Sequence, residues 1–232
     1  INEQVNEEWI SDKTRFIADG LRTQRLDRPY VRKNGKLQAA SWGEAFDAIT
    51  KAVAKTSGEK IGAIAGDLAA VEELYALKQL MISLGSANID CRQDGAALDP
   101  ALGRGSYIFN TGIENIEGAD ALLLIGSNPR VEAAVLNARI RKAWRGNGMP
   151  IGVIGEGGEL RYEHEVLGAG PETLAEVVDG KHSFSKVLKN AKNPLIIVGQ
   201  GALARKDGGT VLGLAAKLTA ALNAVREDWN GF

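Results

Sequence analysis

Four short apolar runs in this chain end in glycine, and each is followed by residues with helical spacing. They are IGAIAG (61–66), ADALLLIG (119–126), PIGVIG (150–155) and NPLIIVG (193–199). The second is the clearest, because its apolar residues are continuous rather than alternating, as in a parallel strand covered on both faces. Strand and helix alternating four times predict an α/β fold, a parallel Rossmann-like sheet flanked by helices and joined by right-handed crossovers. Helices are expected near 42–57, 70–84, 129–145, 171–178, 183–188 and 209–225. Ser41-Trp42-Gly43-Glu44 has the form of a capping box. Asp67 is placed to cap the second helix and Gly85 to stop it.

The organisation expected is a polar N-terminal arm with the first helix, 1–57, packed on a main α/β domain, 58–232. Within that domain the turn-rich stretch 86–118 reads as an irregular lobe. Around Asn34-Gly35, residues 30–32 and 36–38 form either a short hairpin or an extended strap lying on a neighbouring surface. The polar opening INEQVNEEWISDKTRF is not a signal peptide and reads as the middle of a longer protein.

Composition excludes several functions. Lys plus Arg is 28 against 29 Asp plus Glu, so no strong field draws in nucleic acid or an anionic membrane. One cysteine, Cys91, and two distant histidines, His164 and His182, cannot build a zinc or iron–sulfur site from this chain alone. No apolar run is long enough to span a bilayer. Neither a Walker A loop nor a Gly-x-Ser-x-Gly elbow occurs, and no G-x-G-x-x-G is followed by a suitably placed acid.

Ligands of open α/β sheets bind beyond the C-terminal strand ends. At Gly126-Ser127-Asn128-Pro129, Asn128 suits a helix cap and Pro129 the first helical position, and Arg130 follows. Either the free N–H groups and Arg130 receive an anion, or Asn128 satisfies those groups itself and Arg130 points to water. Arg139, Arg141, Lys142 and Arg145 are read as offsetting the helix dipole. Gly155-Glu156-Gly157-Gly158 carries a carboxylate where a pyrophosphate would sit. Gly199-Gln200-Gly201 is a cradle or simply a turn. Cys91, beside Arg92, has no base nearby in sequence and reads as a buried or incidental thiol. His164 reads as a surface or interface residue and His182 as capping or flanking a helix. The four tryptophans are too scattered for a stacking platform.

Three stretches carry a resemblance. RLDRPYVRKNGKLQAASWGEAF (25–46) and LLLIGSNPRVEAAVLNARIRKAW (122–144) resemble segments of the molybdopterin oxidoreductases. WISDKTRFIADGLRTQRLDRPYVR (9–32) is similar to the family of large iron–sulfur subunits of respiratory complex I. In the catalytic relatives a Cys, selenocysteine or Ser ligand to molybdenum or tungsten follows a segment like NIDCRQDG. Here that position falls near Gly95 or Ala96, which cannot ligate, and Cys91 comes too early. The resemblance therefore implies no catalytic residue, no metal and no cofactor in this stretch, with Gly126, Asn128, Pro129 and Arg130 a vestigial cradle. It implies a noncatalytic structural domain of a proton-pumping NADH:quinone oxidoreductase, whose upstream iron–sulfur clusters relay electrons toward quinone. The implied partners are other peripheral-arm subunits and the N-terminal iron–sulfur domains of the same chain, with no nucleic acid and no direct membrane insertion. The implied location is the cytoplasmic side of a bacterial inner membrane, or the matrix side in a eukaryote. The alternatives are a fragment of an active molybdopterin enzyme and a nucleotide binder at Gly199–Gly201. An exposed apolar patch is expected where other domains normally lie.

Overall fold

The computed structural model describes residues 1–66, 68–91 and 95–232. Asp67 and Arg92, which carried expectations above, lie outside the described residues. The chain divides into two compact units, residues 16–93 and residues 1–15 with 94–232. The expected division at 57/58 falls inside the first of these. A short helix, α1 (Asp12–Phe16), ends at its first residue.

In the unit 16–93, β1 (Tyr30–Lys33) and β2 (Lys36–Ala39) pair antiparallel, so the hairpin is formed and the extended strap is not. Asn34 and Gly35 have φ of 52° and 80°, the two positive values a two-residue turn of this hand needs. The helix α2 (Trp42–Val53) starts at the capping box. Ser41 Oγ accepts from the Glu44 N–H at 3.3 Å, and the Glu44 carboxylate accepts from the Ser41 N–H at 2.9 Å. That carboxylate also receives Lys33 Nζ at 2.7 Å, tying the hairpin to the helix start. The helix α3 (Val71–Ser83) is entered by the Ala70 N–H donating to Glu73, and Gly85, at φ 67°, ends it.

The run 61–66 behaves differently from its expectation. Only Ala63–Ile64 (β3) is strand, and it pairs in parallel with β4 (Ile89–Asp90) in a two-stranded sheet of its own. Ile64 is exposed, as are Trp42, Phe46 and Ile49 of α2 and Val71, Tyr75, Leu80 and Ile82 of α3. A two-stranded parallel pair with apolar helix faces open to solvent is an incomplete layer.

The other unit holds a four-stranded parallel sheet of order β7 (Glu165–Gly168), β6 (Ile151–Ile154), β5 (Ala121–Ile125) and β8 (Pro194–Val198). At its centre, β5 (Ala121–Ile125) is buried at every residue. Then come α4 (Pro129–Glu132), α5 (Ala134–Asn147), β6 (Ile151–Ile154), β7 (Glu165–Gly168), α6 (Pro171–Val178), α7 (Phe184–Asn190) and β8 (Pro194–Val198). The chain continues through α8 (Gln200–Leu203) and α9 (Gly208–Ala221) to a closing hairpin, β9 (Val225–Arg226) and β10 (Trp229–Asn230). The single helix expected over 129–145 is interrupted at Ala133, whose φ of −146° and ψ of 69° are not helical.

The period-2 geometry of a strand sorts β5 between two cores. Leu122 and Leu124 pack with Ile140 and Ala143 of α5 and with Met149, Leu160, Tyr162 and Trp229. Ala121, Leu123 and Ile125 pack with Leu174 and Val177 of α6, Phe184 and Leu188 of α7, and Val211 and Leu218 of α9. The Asp120 carboxylate accepts from the Lys192 and Asn193 N–H groups at 2.7 and 2.8 Å, fixing the entry to β8 beside that to β5. Among the described residues, no helix is long and apolar enough to cross a membrane.

Two outcomes are expected. A Cβ on Gly152 would stand 2.8 Å from the Phe184 ring, so Gly152→Ala should cost about 1–3 kcal/mol, read as a lower urea midpoint. An unshifted midpoint would show that the ring has room to move. The Lys33 ammonium and the Ser41 N–H bring the Glu44 carboxyl from the ordinary 4.5 down to about 2. A depressed carboxyl stabilises the fold above its unfolded pKa, so the cap is intact above about pH 4.5 and is lost as pH falls toward 2. In an NMR titration the Glu44 carboxyl carbon should turn over near 2, and a midpoint near the ordinary 4.5 would contradict the capping geometry.

Candidate functional site

Where the strand order reverses, the loops after β5 and β8 diverge and leave a crevice at the C-terminal edge of the sheet. A cavity of about 620 Å³ lies there, lined by Gly126–Asn128, Glu132, Gly155–Gly158, Gly170, Gly201 and Arg205, among others. Several glycines here are needed without any ligand. A Cβ on Gly126, at φ 58°, would meet Ala202 Cβ at 2.6 Å, and one on Gly199 would meet the Gly126 carbonyl oxygen at 2.3 Å. One on Gly158 would meet Asn128 Nδ2 at 2.5 Å. The loops therefore need glycine to pass one another, and the Gly199-Gln200-Gly201 segment is a turn into α8.

The strand-to-helix turn after β5 differs from both readings given above. Asn128 makes no side-chain cap, and its Oδ1 is buried without a partner. The seat is taken by Glu132, whose carboxylate accepts from the Asn128 N–H at 3.1 Å and from Ser127 Oγ at 2.9 Å. Pro129 stands at the start of α4 as expected, and is buried. Arg130 turns away to the β6–β7 loop, where Nη1 donates to the Glu159 carbonyl and carboxylate, each at 3.0 Å. Of the four residues named for the cradle, only Gly126 and Asn128 line the cavity.

The charge of the rim opposes a phosphate. Glu132 and Glu156 contribute two carboxylates. Among the described residues of the rim the one guanidinium, Arg205, is already bound to both oxygens of Asp207 at 2.7 and 2.8 Å. The orphaned Asn128 oxygen is an acceptor and offers a phosphate nothing. The residues present do not fit the phosphates of a pterin dinucleotide. The ligand position does not fit the metal either. Gly95 has no side chain, and Ala96 is buried against Leu203 and Leu212. Cys91 is an exposed free thiol. Among the described residues no three His, Cys, Asp or Glu side chains come together to hold a metal ion.

The remaining candidates are also placed. His164 Nδ1 lies 3.1 Å from the Tyr162 carbonyl oxygen with its ring edge-on to Tyr162. His182 flanks α7, its Nδ1 accepting from the Phe184 N–H at 3.1 Å. Burial pushes the Tyr162 hydroxyl far up from its ordinary pKa, so it stays protonated and donates to Asn137 Oδ1 at 2.7 Å. In the α5 quartet only Arg145 belongs to the last turn as a dipole partner. Arg141 reaches the Arg161 carbonyl, while Arg139 and Lys142 bind carboxylates. Sequence reading missed Glu132, although an acid in the first turn of a helix is a visible signal for anchoring free N–H groups.

Comparison with known proteins agrees with this architecture. Residues 25–232 match the family described as Molybdopterin oxidoreductase. Residues 1–19 match the family described as NADH-ubiquinone oxidoreductase NDSU1/NuoG-like, 4Fe-4S domain. An NADH-quinone oxidoreductase subunit of Rickettsia conorii is 47% identical over 232 residues, covering 100% of this chain and 34% of that protein. The mitochondrial NADH dehydrogenase [ubiquinone] iron-sulfur protein 1 of Solanum tuberosum is 45% identical, covering 100% of this chain and 31% of that protein. The mitochondrial 78 kDa subunit of NADH-ubiquinone oxidoreductase from Neurospora crassa is 44% identical, covering 100% and 32%. The chain thus spans about a third of the length of these curated relatives. Among solved structures, a chain of the formyltransferase/hydrolase complex from Methylorubrum extorquens, in complex with methylofuran, superposes with a TM-score of 0.51 at 21% identity. The match covers 78% of this chain and 56% of that one, and it speaks to the fold alone.

If Glu132 fills the seat, removing it strands the Ser127 hydroxyl and the Asn128 N–H. Glu132→Ala should cost about 0.5–1 kcal/mol in urea denaturation, whereas Arg130→Ala, breaking a solvent-exposed pair, should stay within about 0.5 kcal/mol. Equal effects from the two would remove Glu132 from this role.

Proposed function

This chain belongs to the molybdopterin oxidoreductase family, and we propose that it serves there as a noncatalytic structural domain. The larger protein is the big iron–sulfur subunit of an NADH:quinone oxidoreductase. The observation that carries the reading is the Glu132 carboxylate in the anion seat of the strand-to-helix turn. A carboxylate fixed by two donors there meets a dinucleotide phosphate with like charge, and the described residues of the rim supply no free cation to offset it. The identity of 44–47% to subunits of that enzyme, over the whole of this chain, supports the choice of parent.

On this reading the fold is retained for shape. Electrons pass through iron–sulfur clusters held elsewhere in the larger protein, and this domain packs against the cluster-bearing domains and neighbouring peripheral-arm subunits. The open apolar faces of α2 and α3 are surfaces that the rest of the assembly covers. The complex places the domain on the cytoplasmic side of a bacterial inner membrane, or on the matrix side in a mitochondrion.

The test uses the native full-length protein in its complex. Denaturation followed by pterin fluorescence, with molybdenum and tungsten analysis of the same sample, should return neither pterin nor metal. Stoichiometric pterin with either metal would replace this reading with that of an active molybdopterin enzyme.

A further inference from the structure

Between the first residues of the chain and α5 lies a second cavity, of about 730 Å³. It shares no lining residue with the crevice at the strand ends. Sites for small organic molecules are of this size, about 300–1,000 Å³. One wall is helical. Val135, Ala138, Arg141, Lys142 and Arg145 recur at intervals of three and four, which sets them along one stripe of α5. The stripe is apolar and slim at its start and basic toward its end.

The opposite wall is a turn that carries Trp9. The Asn6 carbonyl accepts the Trp9 N–H at 2.8 Å, and the Asn6 side-chain amide donates to the Trp9 carbonyl at 2.8 Å. Glu7 ties this turn to α5, accepting from Arg139 at 3.1 Å and from Lys142 at 2.6 Å. The indole lines the cavity yet is 59% exposed, and it makes no ring contact among the described residues. Its aromatic surface is held in place and left unused by the fold.

The cations of the lining fall into two sets. Arg139 and Lys142 are neutralised, since both bind the Glu7 and Glu117 carboxylates. Arg141 and Arg145 are not. Arg141 donates through Nε to the Arg161 carbonyl at 3.3 Å and meets no carboxylate among the described residues. Arg145 has neither a hydrogen bond nor an ion pair among them, and it is exposed. Four residues apart, these two guanidiniums are neighbours on the helix and repel one another until an anion joins them. Against them the lining offers one further carboxylate, Glu8, so a single excess positive charge remains.

An indole facing an apolar helix stripe that ends in two guanidiniums is complementary to a flat ring carrying a phosphate. The single excess charge suits one phosphate rather than a chain of them. We propose that this cavity binds a nucleoside monophosphate, its base stacked on Trp9 and its phosphate held by Arg141 and Arg145. Such a site uses side chains alone. It needs neither the glycine turns nor the helix start that the strand ends share with nucleotide-binding folds.

The native full-length protein in its complex is the sample, and 8-azido-adenosine monophosphate is the probe. Irradiation should label the α5 peptide, residues 135–146, and unlabelled adenosine monophosphate should displace the label. Adenosine and inorganic phosphate, each with half of the chemistry, should compete at least about tenfold more weakly. Read on the α5 peptide, Trp9→Ala should weaken labelling about fivefold or more. Arg145→Glu should weaken it about tenfold or more, and it breaks no contact of the fold. If Arg145→Glu lowers the thermal midpoint, Arg145→Gln, which only removes the charge, decides by the same readout. An unlabelled α5 peptide, displacement by phosphate as strong as by the nucleotide, or labelling indifferent to both substitutions overturns the site. Recovery of pterin would sink the noncatalytic reading of the crevice and leave these readouts where they are.

Discussion

The close passage of two backbones, at Gly126 after β5 and Gly199 after β8, is the constraint on which the rest of the main unit depends. A Cβ on Gly199 would overlap the Gly126 carbonyl oxygen. Without that approach the central strands could not stay paired to their ends and then diverge into α4 and α8. The Gly199 N–H donating to the Ile125 carbonyl at 2.8 Å, and the Gly126 N–H to that of Ile154 at 2.8 Å, carry the ladder to the strand ends. The glycine-rich rim that looks like a nucleotide site is thus first a solution to a packing problem. A fold of this class keeps such a rim whether or not anything binds in it.

Charge decides what the rim can then do. A helix start with free N–H groups is receptive to any anion, including one supplied by its own chain. Glu132 is four residues from Asn128, reaches back, and meets that demand at the cost of one side chain's freedom. The same device recurs elsewhere. Glu73 reaches back to the Ala70 N–H, and Asp120 reaches across to two N–H groups before β8. In this chain carboxylates repeatedly satisfy backbone donors, and the turn after β5 is one more instance.

The sheet itself was legible because its strands are continuous apolar runs buried on both faces, and the hairpin because Asn34-Gly35 specifies its turn. What escaped were features set by distant partners. The edge strand β7 is four residues long with Glu165 and Val166 exposed, so it lacks the pattern of its neighbours. IGAIAG looks like the other glycine-ended runs, yet it pairs with β4 in a separate unit, and composition carries no label for sheet membership. Arg139 reads locally as a dipole partner, and its true ligands lie in residues 3, 7 and 117. Beside the candidate site Pro129 opens α4, while the cap expected of Asn128 is supplied by Glu132 and Arg130 is held by Glu159.

The closing hairpin also has a bearing on growth. The Gly231 carbonyl accepts the Ile196 N–H at 2.8 Å, and the Trp229 indole N–H bonds the Pro194 carbonyl at 2.9 Å, so the free margin of β8 is partly sealed by the chain's own tail. The opposite margin, at β7, has no such seal among the described residues and carries Glu165 at its start. Among the described residues the β7 margin is thus the more open of the two, and a strand added there would arrive beside a negative charge.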